Sequence, residues 1–86
     1  GVVEELREGG RIILAHGKAT GHAHTIISER ARSYATPDKR RFLVIDGQRP
    51  VDLAHDEHST VRVPPGTYGI VRQREWQDEE IRNVAD

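Results

Sequence analysis

Apolar and polar residues alternate in short runs along this chain, and nowhere do apolar residues recur at helical spacing for more than two turns. Alternation of this kind predicts strands over 11–16, 21–28, 40–46, 50–55, 60–64 and 67–76. Turn-forming residues separate them: the segment GKATG at 17–21, Asp46-Gly47 after the third strand, and Pro65-Gly66 before the last. Asp46-Gly47 lies between an apolar run and an alternating one, which predicts a hairpin. The segment 77–85 begins acidic, with Asp78 placed to cap, and predicts two turns of helix that need packing to be stable. No internal repeat divides the chain. The expectation is one all-β domain over 1–86, mostly antiparallel, either a small β-barrel or a β-sandwich. A short C-terminal helical tail belongs to that expectation, with 1–9 and 77–86 as peripheral tails.

Composition sharpens this picture in one respect. A chain of 86 residues buries only about 60 to 65% of the surface its unfolded form exposes. It has no Cys or Met, one Phe, one Trp and two Tyr, so neither disulfides nor thiolate metal sites supplement a thin core. A metal held by other ligands, or a partner subunit, is left to do so. Ile70, Trp76 and Ile81 are the residues expected to face a neighbouring subunit in a homo-oligomer. Charged residues reach 31% but leave a net charge of −1, which is not the balance of a disordered chain. The longest apolar runs are four residues, far short of a membrane span, and no signal-peptide pattern is present, so the expected location is the cytoplasm.

Charge is unevenly spread. Residues 1–8 and 78–86 hold seven acids against two arginines, whereas 9–77 hold eleven Lys or Arg against seven acids, about +4. Much of this excess comes from the stretch SERARSYATPDKRR at 28–41. Basic residues beside an aromatic suit a nucleic-acid backbone, but the first reading of this stretch is a solvated, Arg-rich loop.

The five histidines change the picture most. Residues two apart on a strand share a face. His16 is then in phase with Ile12 and Leu14, His22 and His24 with Ile26, and His55 with Val51 and Leu53. Each set places histidine at a strand end on an apolar face. Across the loop GKATG, His16 and His22 fall opposite each other, with His24 two residues deeper. His55 and His58 lie in H-D-E-H, whose spacing suits a turn. If the apolar faces line one core, the imidazoles converge at one mouth of it.

Neutral imidazole is a good metal donor near neutral pH, and an H-x-H pair projects two such nitrogens to one side. His22 and His24 supply that pair, with His16, His55 and His58 for the remaining positions and Glu57 or Glu29 as carboxylate alternatives. Zinc is the first choice, with iron, nickel and manganese as alternatives. An open coordination position would lower the pKa of bound water, with Glu57 the candidate general base. Against this stands an all-structural role, since any single histidine on an apolar face is commonly a satisfied core residue. A metal-free reading is RNA cleavage by two histidines acting as general acid and base, with Lys18, Arg62 or an arginine of 30–41 stabilising the anion.

The stretch HGKATGHAHTIISE resembles the first cupin motif, and VRVPPGTYGIV resembles the second around its Pro-x-Gly turn. That resemblance implies a small barrel with His22, His24 and Glu29 as ligands. Gly69 stands where the second motif has its ligand histidine, so His55 or His58 would replace it. The combination ATGHAH, H-x-x-H, PPGTY and QREW, over 12–76, resembles a family of small uncharacterised bacterial and phage proteins. It implies one coherent unit and no particular activity. The expected function is a small histidine-rich metal-binding β-domain, either a metal-dependent hydrolase or a cupin-like metalloenzyme. The alternatives are a self-assembling structural or adaptor subunit and an RNA-binding or RNA-cleaving protein.

Overall fold

The computed structural model describes residues 1–14, 24–54, 60–72 and 79–84. Its strands, in chain order, are β1 (Val3–Glu4), β2 (Ile12–Leu14), β3 (His24–Ile26), β4 (Ala31–Ala35), β5 (Arg41–Ile45), β6 (Val51–Ala54), β7 (Thr60–Val63), β8 (Gly66–Val71) and β9 (Glu80–Asn83). They form a five-stranded sheet in the order β1-β4-β5-β8-β9 and a four-stranded sheet in the order β2-β3-β6-β7. Every pairing is antiparallel. Among the described residues neither sheet closes, so the architecture is two stacked sheets and not a closed barrel.

Alternation explains which side of each strand is buried. Ile12 and Leu14 in β2, His24 and Ile26 in β3, and Val51 and Leu53 in β6 face inward. Ala31, Leu43, Ile45, Tyr68 and Ile70 of the other sheet meet them in one continuous apolar cluster. Leu14, Ile26 and Leu43 are its largest fully buried side chains.

Four expectations are corrected. The basic stretch 28–41 is not a loop: it holds β4, whose residues 31–35 pair with β5 in continuous register from Ala31↔Ile45 to Ala35↔Arg41. The inward residues of β4 are Ala31 and Ser33, too small and polar to register as an apolar alternation. Among the described residues of the C-terminal tail there is no helix, because Glu80–Asn83 forms an edge strand on β8 with Ile81 opposite Ile70. One apolar side chain suffices there, and Ile81 packs against the core. Ile70 and Ile81 therefore do not form an outward patch for a neighbouring subunit, and Trp76 lies outside the described residues.

The fourth correction concerns Asp46-Gly47, which makes no hairpin. Strands β5 and β6 belong to different sheets. The Arg30 guanidinium instead bridges this corner, donating to the carbonyls of Asp46 at 3.2 Å, Arg49 at 2.6 Å and Pro50 at 3.1 Å. Gly47 has φ +95°, and a Cβ there would lie 3.1 Å from Arg30 Nη1, so both backbone and contact call for glycine.

The crossing from β7 to β8, at Pro64 to Gly66, is bridged by the Tyr68 hydroxyl, which donates to the Pro64 carbonyl at 2.7 Å. Tyr68 is otherwise a core residue. Tyr68→Phe keeps the ring and deletes that bond; the expected loss is about 1 kcal/mol of unfolding free energy in urea titration. An unchanged midpoint would show that the corner does not depend on the bond.

Candidate functional site

The site begins with strand direction. In the four-stranded sheet, Leu14 pairs with His24, Thr25 with Ala54, and Ala54 with Thr60. The C-terminal ends of β2 and β6 and the N-terminal ends of β3 and β7 thus lie side by side at one end of the sheet. The connections 15–23 and 55–59 both leave from this end and carry His16, His22, His55 and His58. The fifth histidine, His24, is in β3 and is buried at 8% exposure, on the inward face with Ile26. The phase assigned to the described parts of β2, β3 and β6 from sequence is the phase observed.

His16, His22, His55, His58 and Glu57 themselves lie outside the described residues. Among the described residues, no group of three or more His, Asp or Glu side chains could hold a metal ion. Glu29 is not brought to His24: it sits exposed in the turn that follows the opposite end of β3. The cupin-derived ligand set of His22, His24 and Glu29 finds no support among the described residues, with His22 outside them, and no closed barrel accompanies it. Gly69 lies within β8, paired with Phe42 and Arg82.

A second polar constellation escaped the sequence reading. Arg41 opens β5 in phase with the buried Leu43 and Ile45. Its Nε donates to both carboxylate oxygens of Glu5 at 3.0 and 3.1 Å, and its Nη1 donates to Glu79 at 2.5 Å. Burial disfavours the Arg41 cation, but the hydrogen bonds and charges of Glu79 and Glu5 outweigh it and raise its pKa above the ordinary arginine value. A charged residue in an inward phase was the available signal; partners 36 and 38 residues away were not readable from spacing. The triad joins the N-terminal segment, β5 and the residue preceding β9. Holding three segments distant in sequence to one another, it serves as a structural tie.

The architecture defines a class: a small all-β domain of two antiparallel sheets, with one sheet end carrying the histidine-bearing connections. The chain belongs to the family described as Domain of unknown function (DUF8820), whose model matches residues 2–73. This agrees in kind with the resemblance to a small uncharacterised family. No curated protein and no solved structure matches the chain.

Proposed function

We propose that the protein is a small metal-binding β-domain whose site lies at the histidine-bearing end of the four-stranded sheet. His24 would be the strand-borne ligand, with the others drawn from His16, His22, His55 and His58, and zinc the first metal to test. One observation carries this reading: both histidine-bearing connections spring from adjacent strand ends beside the buried His24. Two connections anchored on paired strands bring donors together with little further ordering cost, and a metal bridging them would hold both sheet ends against fraying. An open coordination position would extend this to hydrolysis, with Glu57 as the base.

Elemental analysis of protein prepared without an affinity tag tests the reading. The expected result is a stoichiometric transition metal in the wild type, lost in the double variant His22→Ala with His24→Ala. A wild type that takes up no metal from zinc, iron, nickel or manganese solutions would overturn it. Where metal is present, water in the coordination shell separates a catalytic from a purely structural site.

A further inference from the structure

A cavity of about 820 Å³ lies on the outer face of the four-stranded sheet, away from the core face that carries His24. Its character follows from the strands beneath it. Outward residues of β3, β6 and β7 form its floor, with Thr25, Ala54 and Thr60 toward the histidine-bearing end. At the opposite end stand Arg30 and Arg49, and Arg62 flanks it from β7. Three guanidiniums face one carboxylate, Asp52, so the lining carries +2 on a chain of net charge −1. By contrast, the cavity beside Arg41 is lined by Glu5, Glu8 and Glu79 against Arg11 and Arg41, net −1.

The three arginines are available in different ways. Arg30 is held in one orientation by three carbonyls, which do not neutralise its charge. Arg49 makes no ion pair among the described residues. Arg62 reaches Asp52 only at 4.0 Å, with both side chains more than two-thirds exposed, a pairing worth little in water. Threonine hydroxyls add neutral donors of the kind that contact phosphate and sugar. Among the described residues, no aromatic side chain lines the groove, and those that do line it offer charge and hydroxyl donors.

We infer that this groove binds the phosphodiester backbone of a single-stranded nucleic acid, without reading its sequence. An open concave sheet face accepts an extended strand, whereas a duplex is normally entered by a protruding helix or ribbon. The metal site is not required for this.

The test is fluorescence anisotropy of a labelled oligouridylate across a salt titration. It is run with chelator present and above the histidine titration range, so that neither metal nor imidazolium contributes. The wild type is expected to bind with an affinity that falls steeply with salt. Arg49→Ala with Arg62→Ala should reduce the slope of log affinity against log salt by about 1.4, two contacts at roughly 0.7 each for single strands. Arg49→Lys with Arg62→Lys should largely restore it, because charge and not fork geometry is used. Circular dichroism establishes that the exposed-site variants remain folded. Absence of binding at low salt, an unaltered slope in the alanine variant, or equally tight arginine-dependent binding of an oligoglutamate would each overturn the proposal.

Discussion

Replacing Arg41 by methionine is expected to lower unfolding free energy by about 2–3 kcal/mol, read as a reduced urea midpoint at unchanged m-value. The substitution leaves Glu5 and Glu79 facing each other with their shared counter-charge removed. Breaking a fully buried pair costs roughly 3–5 kcal/mol. The lower figure applies because 27% of the Arg41 side chain and 27% of Glu5 remain exposed, against 11% of Glu79. Removing both carboxylate charges as well, with Glu5→Gln and Glu79→Gln, should recover most of the loss, because the unpaired charge and not the missing attraction is what destabilises. A triple variant as unstable as Arg41→Met alone would refute that account. Because the Arg41 pKa is raised, its contribution is fully present below the unfolded-state value and is lost only as pH rises through the higher folded-state value, well above neutrality. Arg41 itself therefore adds no pH dependence near pH 7.

The contrast between Arg41 and Leu43 shows what the sequence could convey. Leu43 announced its burial by phase and chemistry together, as did Ile12, Leu14, Val51 and Leu53, and all five lie in the core. Arg41 has the same phase but the opposite chemistry, and only partners from distant segments make its position tolerable. Strand β4 failed to register for a related reason: its inward residues, Ala31 and Ser33, fill space opposite Ile45 and Leu43 without any apolar alternation of their own. Strand β9 depends on a single apolar residue, Ile81, because an edge strand is held chiefly by its backbone ladder. Turn chemistry at Asp46-Gly47 located a change of direction correctly but not its destination. The following strand joins the other sheet, and the side chain that bridges the carbonyls of that corner, Arg30, lies 16 residues earlier.

For the histidine-bearing end, period-two phase was enough to place His24 inward and to pair its strand with β2, since those features are local. The adjacency of β3 and β6 was not local. It follows from a crossover that takes the chain through β4 and β5 in the other sheet and back. That non-sequential pairing brings the ends bearing 15–23 and 55–59 to one edge, and no spacing rule within either segment contains it.

His24 offers the largest ligand-dependent effect. With free zinc at about a thousandfold over its dissociation constant, linkage alone stabilises the folded wild type by about 4 kcal/mol, less any affinity of the unfolded histidines. His24→Leu should abolish the zinc-induced rise in thermal midpoint. In chelator, the same substitution should change stability by only about 1–2 kcal/mol, since an imidazole at an inward position is exchanged for an apolar side chain of similar size. A purely structural histidine gives a different pattern, the same loss in zinc and in chelator, with the zinc-induced shift retained by the variant. That comparison separates a ligand from a core residue, because both readings place His24 where it is found and differ only in whether the cation's free energy passes through it.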